Sequence, residues 1–370
     1  MELTAIHIGG KMVKVDFDSL SDESKQILDA MRSLEIQPGA VEQEIDDHTQ
    51  LGDILAPTAA NIRRRAEIIQ RLYFNRKHPP IEWESIIINL IDSGFALHEG
   101  DTYTLTETGR HAGQLARGER IGRRFSDELV RYESSAAHSE FCQRVFGIDL
   151  SQADLMDKDQ LNILLDALAL TGKNRVLDLA CGIGRVAEYI SDTTGANVLG
   201  IDVATDALER ARRRTADKRH RLDFQPGNMD LLDLPPAGFD TVIAIASIHY
   251  AQDIANTIGQ LKQTLTPDGQ MALFSFQYQR EGDPPEILLP ENTTVGRALK
   301  QHGFQFRTWD FTDREIAVRR KQVETAYELM EQFAAEGNRD LAEDRIEECD
   351  LDLPRLEAGT KRRYLFHAHL

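Results

Sequence analysis

The chain is poor in cysteine, in long apolar runs and in positive charge, and each shortage excludes something. Its 370 residues include only three cysteines, Cys142, Cys181 and Cys349, too far apart for a metal knuckle or a disulfide framework; that usage points to a reducing cytoplasm. No stretch approaches the roughly 18 consecutive apolar residues of a membrane span. The opening "MELTAIHIGGKMVKVDFDSL" lacks the basic start and apolar block of a secretory leader and reads as a hairpin about Gly9-Gly10. Lys and Arg number 43 against 61 Asp and Glu, a formal net charge of −18. Such a surface repels phosphate backbones, so nucleic acid is a disfavoured partner.

A hydrophobic content of 41% and this length suit a soluble protein of two domains. Residues 1–118 form the first. Helical spacing runs through "PTAANIRRRAEIIQRLYF" (57–74) and "IEWESIIINLIDSGF" (81–95), the latter with Trp83, Ile86, Ile87, Leu90 and Ile91 on one stripe. "FALHEGDTYTLT" (95–106) then alternates about Glu99-Gly100-Asp101 as a two-stranded ribbon, and Thr106 can cap the helix after it. Helix, ribbon and helix in this order look like a winged helix, a fold that often reads DNA. Here the unit carries 12 Lys and Arg against 19 Asp and Glu, and the helix before the ribbon offers Glu82, Glu84 and Asp92 with no basic residue. Docking, or a homodimer through this domain, is expected ahead of DNA reading.

Residues 119–170 read as a helical connector and lid, with "SAAHSEFCQRVF" (135–146) and "DKDQLNILLDALAL" (157–170) as helices. From 171 to 370 strands and helices alternate: "RVLDLA" (175–180), "NVLGID" (197–202), "LDFQPG" (222–227), "FDTVIAIA" (239–246) and "QMALFSF" (270–276). This predicts an α/β fold with a doubly wound, mostly parallel sheet covered on both faces.

Ligands of such sheets sit beyond the carboxyl ends of the strands. There "VLDLACGIGR" (176–185) puts Asp178 inside an apolar strand and runs into a turn at Ala180, Cys181, Gly182 and Gly184. The glycines let backbone N–H groups approach a ligand as a helix begins. Asp202 ends the next strand, where an acid can bind both hydroxyls of a ribose. Gly182, Gly184 and Ala187 also fit the G-x-G-x-x-A form of a dinucleotide site, a weak signal by itself.

Four ordered features carry a resemblance to the class I S-adenosylmethionine-dependent methyltransferases: Asp178 in its strand, "GNMDLLDLP" (227–235), "FDTVIAIASIHY" (239–250) and "LKQTLTPDGQMALF" (261–274) with its Pro-Asp-Gly turn. The resemblance covers about residues 130–370 and implies a seven-stranded Rossmann-like sheet, with "HGFQFRTWDFT" (302–312) and "KRRYLFHAHL" (361–370) as the last two strands, one of them antiparallel. It implies S-adenosyl-L-methionine as cofactor, Asp178 near its ammonium group, and contacts from Ala180, Cys181, Gly182, Gly184, Asp202, Val203, Asn228, Met229 and Ala246. Asn228 stands where the family usually has Asp. The segment 313–360, with "REIAVRRKQVETAYELMEQFAAEG", would form a helical cap over the active site.

Methyl transfer is an in-line displacement, so the protein's task is alignment and exclusion of water. His249, just past the fourth strand, is the best-placed base if the acceptor must lose a proton, with an ordinary pKa of about 6.5; shaping the pocket is an equal alternative. Tyr250, Tyr278, Tyr132 and His138, with Glu281, are candidates to line the acceptor site. The basic run "RARRRTADKRHR" (210–221) reads as a solvated helix face. His367 and His369 lack further ligands at metal spacing, so no metal site is expected. The leading function is an enzyme methylating an oxygen, nitrogen or carbon of a small-molecule acceptor. The alternatives are a cofactor-binding regulator that reads DNA, and a methyltransferase acting on RNA or protein; against RNA, Ala246-Ser247-Ile248-His249 stands where an Asn-Pro-Pro-Tyr motif would be.

Overall fold

The computed structural model describes residues 4–8, 11–15, 17–35, 57–73, 83–152 and 156–370. They fall into two compact units, 1–124 and 125–370. In the first, strands β1 (Thr4–Ile8) and β2 (Lys11–Val15) pair antiparallel; the expected turn at Gly9-Gly10 lies outside the described residues. Helices α1 (Asp22–Glu35), α2 (Ala59–Tyr73) and α3 (Trp83–Asp92) precede the ribbon β3 (Ala96–Glu99) and β4 (Thr102–Leu105). Ile27, Leu28, Ile87, Leu90 and Leu105 share a core. Glu82, one of the three acids noted before the ribbon, lies outside the described residues.

Helix α4 (Glu107–Ser134) starts where Thr106 Oγ1 accepts the Gly109 N–H at 3.0 Å and runs on without a break. The domain boundary expected at Gly118 therefore falls inside a helix, and the units divide after Arg124. Glycine in this stretch serves close approach rather than chain ending: a Cβ at Gly113 would stand 2.8 Å from the Leu28 carbonyl oxygen of α1.

In the second unit, α5 (Ala136–Phe146) and α6 (Lys158–Leu168) are capped at their N-termini by Ser135 and Asp157. There follow β5 (Arg175–Leu179), α7 (Arg185–Thr194), β6 (Asn197–Asp202), α8 (Thr205–Arg214), β7 (Leu222–Pro226) and β8 (Phe239–Ala244). The chain then forms α9 (Ile254–Thr264), β9 (Leu265–Tyr278), α10 (Thr294–Gln301), β10 (Gln305–Asp310), α11 (Thr312–Ala335), α12 (Arg339–Glu357) and β11 (Lys361–His369). The sheet order is β10-β11-β9-β8-β5-β6-β7, with β11 antiparallel to both neighbours. Winding runs outward in both directions from the β5/β8 pair, where Asp178 lies opposite Ile243. One apolar layer packs α9 and α10 on the sheet, and a second packs α6, α7 and α8 on the other face.

The expected Pro267-Asp268-Gly269 turn is part of β9. Pairing with β8 passes from Phe239–Leu265 to Thr241–Gln270, so the three residues bulge from a strand that hydrogen-bonding carries through. The cap consists of α11 and α12. Arg363 and Glu315 form a fully buried pair at 2.5 Å, Arg319 bonds Glu315 at 2.9 Å and Asp352 at 2.6 Å, and Lys361 meets Asp352 at 2.5 Å. Burying charges is costly, and removing one partner leaves the other stranded. Arg363→Met is expected to lower unfolding stability by about 3 kcal/mol with the urea m-value unchanged; a loss near zero in equilibrium urea unfolding would show that the pair does not hold the cap.

Candidate active site

The turn after β5 is the centre of the site. Ala180, Gly182 and Gly184 have φ of 58°, 55° and 68°, and Ala246, past the end of the adjacent β8, has φ of 49°. A non-glycine residue in the left-handed region costs of order 1 kcal/mol or more and persists only where its surroundings hold it. Both strained alanines stand at the carboxyl ends of the two strands where winding reverses. At Gly184 a Cβ would lie 2.1 Å from Phe224 Cε1 of β7, so the position excludes any side chain.

Asp202 ends β6 with both oxygens on backbone amides: Gly182 N–H donates to Oδ2 and Ala204 N–H to Oδ1, each at 2.8 Å. Burial pushes its carboxyl above the ordinary value, while the amides of Ala204, Gly182 and Val203 pull the other way. Asp178 is buried in β5 beneath the same turn. Burial, with the Asp178 and Asp202 carboxylates nearby, holds the Cys181 thiol well above its usual pKa and protonated. At the end of β7, Asn228 Oδ1 accepts the Asp230 N–H at 2.9 Å, which engages its acceptor oxygen within its own turn. Met229 follows it, partly buried, and its carbonyl accepts Thr257 Oγ1 at 3.2 Å.

Beyond β8, Ser247 Oγ donates to the Leu179 carbonyl at 3.1 Å, and His249 and Tyr250 occupy a short helical turn with ring centroids 4.3 Å apart. Phe125 of α4 meets Tyr250 edge-on at 5.3 Å. One turn on, Leu129 approaches Gly182, its Cδ1 3.4 Å from where a Cβ would be. Glu133, a further turn along, bonds Arg214 at 2.5 Å. Sequence reasoning missed this stripe, although the i, i+4, i+8 spacing of Phe125, Leu129 and Glu133 was readable. It also missed Asp230, whose buried carboxylate accepts the Gln252 N–H at 2.7 Å and ties the β7 turn to the loop bearing His249.

The structure places Tyr132 and His138 side by side. Both are buried in the helical layer, stacked on each other at 4.2 Å, with Tyr132 Oη donating to Glu128 and Arg345 over its ring at 5.0 Å. Burial, aided by Arg345, takes His138 down to about 3, so it is a neutral core residue at pH 7. Tyr278 stands at the end of β9 with its ring beneath the Lys361 ammonium at 4.6 Å, inside the packing of the cap, and Glu281 is exposed. Neither is brought to the β5 turn by a contact of its side chain. The basic run is solvated only in part: Arg213, Arg219 and His220 are exposed, while its other basic side chains are half-buried. Arg212 donates to the Phe224 carbonyl at 2.7 Å, Lys218 pairs with Glu188 at 2.7 Å and Asp192 at 2.6 Å, and Arg221 pairs with Asp192 at 2.6 Å. His367 donates from Nε2 to Gln270 and accepts Arg307 at Nδ1. Among the described residues no group of His, Cys, Asp and Glu is arranged to hold a metal, and no helix is long and apolar enough to cross a membrane.

Residues 176–269 match the family described as a methyltransferase domain. The 27-O-demethylrifamycin SV methyltransferase of Amycolatopsis mediterranei is 34% identical over 115 residues, which cover 30% of this chain and 42% of that relative. Phosphoethanolamine N-methyltransferase 1 of Zea mays is 25% identical over 215 residues, 55% of this chain and 43% of the relative. The α/β unit thus carries a segment similar to a methyltransferase domain on a sheet of the class I S-adenosylmethionine-dependent methyltransferase fold. The solved phosphoethanolamine N-methyltransferase 2 of Haemonchus contortus in complex with S-adenosyl-L-methionine shares this fold, with a TM-score of 0.54 at 17% identity, over 78% of this chain and 74% of that one. The cyclopropane synthase MmaA2 of Mycobacterium tuberculosis gives 0.52 at 16% identity, over 66% and 98%. The chain spans about half the length of the curated relatives it matches.

The residues present fit the cofactor of this family. Two buried acids flank a turn whose left-handed positions are glycine and strained alanine, an acceptor set suited to a ligand carrying a cation and vicinal hydroxyls. Gly184→Ala is expected to cost about 3 kcal/mol of stability through the clash with Phe224, and to abolish binding of S-adenosylhomocysteine in titration calorimetry of the fraction still folded. Unchanged affinity would place the ligand elsewhere.

Proposed function

We propose that this chain transfers the methyl group of S-adenosyl-L-methionine to an oxygen, nitrogen or carbon of a small-molecule acceptor. The observation that carries the proposal is the pairing of Asp178 and Asp202 at neighbouring strand ends about a turn whose Gly182 amide is bonded to Asp202. When bound, the cofactor supplies a methyl carbon already activated by a sulfonium. The chain's own part is orientation and exclusion of water. Asp178 takes the ammonium group, Asp202 offers its remaining lone pairs to the ribose hydroxyls, and the turn at Ala180, Cys181, Gly182 and Gly184 offers its backbone groups. Val203, Asn228, Met229 and Ala246 enclose the base and the nucleoside. With its oxygen engaged in its own turn, Asn228 contributes to adenine as a donor.

His249 holds or removes the acceptor proton, and Tyr250, backed by Phe125, forms the wall beside it. The relatives named for a rifamycin and for phosphoethanolamine support a small-molecule acceptor. The first unit, with the helix-ribbon-helix order of a winged helix, serves docking or a homodimer. The exposed face of α3 presents Glu84, Ser85, Ile88, Asn89 and Asp92 and no Lys or Arg, which supports that reading over DNA binding.

Titration calorimetry tests the cofactor. The wild type is expected to bind S-adenosylhomocysteine and not NADH, and Asp202→Ala to weaken that binding by about tenfold or more. His249→Ala should retain the affinity and lose turnover once an acceptor is in hand; full turnover would remove the base.

A further inference from the structure

The basic run ends α8 with a residue that reaches three elements at once. Arg214, its side chain only 18% exposed, donates from Nη2 to the Ile183 carbonyl at 2.6 Å, from Nε to Glu188 of α7 at 2.8 Å and from Nη1 to Glu133 of α4 at 2.5 Å. Ile183 lies between the two glycines of the cofactor turn. The turn is thus held from one side by Asp202, on the Gly182 N–H, and from the other by Arg214, on the next residue's carbonyl. Glu133 is also 3.5 Å from Arg185 and 3.7 Å from Arg210, so a single carboxylate fastens the end of α4 to the helices on both sides of the turn. The same helix brings Leu129 against Gly182 and Phe125 against Tyr250.

We infer that Arg214 is a positioning residue for the cofactor: it sets the Ile183 peptide and, through Glu133, latches residues 125–134 over the glycine turn, so that release of the nucleoside requires the Glu133–Arg214 pair to open. This rests on the cofactor reading given above. A guanidinium suits the role because its rigid fork bonds three acceptors in different directions, which an ammonium on a flexible stem does not reproduce. Its place at the C-terminal end of α8 also sets its charge against the negative pole of that helix. A packing role alone would change the stability of the fold without separating the two binding rates.

The test is the kinetics of S-adenosylhomocysteine binding to the full chain by surface plasmon resonance. Glu133→Gln, which leaves Arg214 with Ile183 and Glu188, and Arg214→Lys are each expected to speed dissociation by about tenfold while association changes little. The double variant should be no faster than the singles, because both open one latch. Hydrogen exchange of 125–134 should slow on binding in the wild type and not in Glu133→Gln. Arg213→Ala, at a side chain 74% exposed, should release at the wild-type rate. If Arg214→Lys does not fold, Glu133→Gln decides alone. Wild-type binding with unchanged release from Glu133→Gln would overturn the latch and leave the cofactor reading standing; no binding by the wild type would overturn both.

Discussion

The carboxylate of Asp202 on the amides of Gly182 and Ala204 is the constraint from which the rest of the site follows. It joins the end of β6 to the turn that leaves β5 and to the start of α8, away from bulk water, where a charge-assisted hydrogen bond is strong and an unmet carboxylate is costly. With the turn pinned there, α7 must leave at an angle that brings Gly184 onto the Phe224 ring, which only a missing side chain permits. The strain at Ala180 and Ala246 sits on either side of this fixed point, in the crevice where winding reverses.

Charge is used inside this unit to set geometry more than to add stability. Arg319, Lys361 and Arg363 lie buried with Glu315 and Asp352 between the cap and β11. Replacing such pairs by well-packed apolar residues is often neutral or stabilising, so their value here lies in fixing how α11 and α12 cross the last strand. One consequence concerns Tyr278. The Lys361 ammonium over its ring and the nearby Asp352 give it neighbours that a freely exposed loop tyrosine would lack, and burial raises its hydroxyl pKa well above 10, so it stays protonated.

The strands, their order of alternation and the two acids were legible because both-face burial writes near-continuous apolar runs, against which Asp178 and Asp202 stand out. The lid segment was legible as a helix, but its working face was not. Tyr132 and His138 draw attention by residue type, yet they stack on each other between α4 and α5, while the plain Leu129 meets Gly182 and Phe125 meets Tyr250. Which face a helix buries depends on partners far away in sequence. The half-buried side of the run 210–221 was hidden for the same reason: its acids, Glu133, Glu188 and Asp192, lie on α4 and α7, and local charge density cannot reveal them. Gly118 and the Pro-Asp-Gly triplet carry local break signals, but a helix and a strand run through them because packing and ladder bonds outweigh local propensity.

The most direct measurement is a crystal structure of the chain with S-adenosylhomocysteine. The account predicts the amino group of the ligand within hydrogen-bond reach of Asp178, its ribose hydroxyls on Asp202 with the Gly182 and Ala204 bonds kept, and Leu129 closed over the glycine turn. A ligand seated away from the carboxyl ends of β5 and β6, or an Asp202 that has left both amides and turned from the ribose, would contradict it.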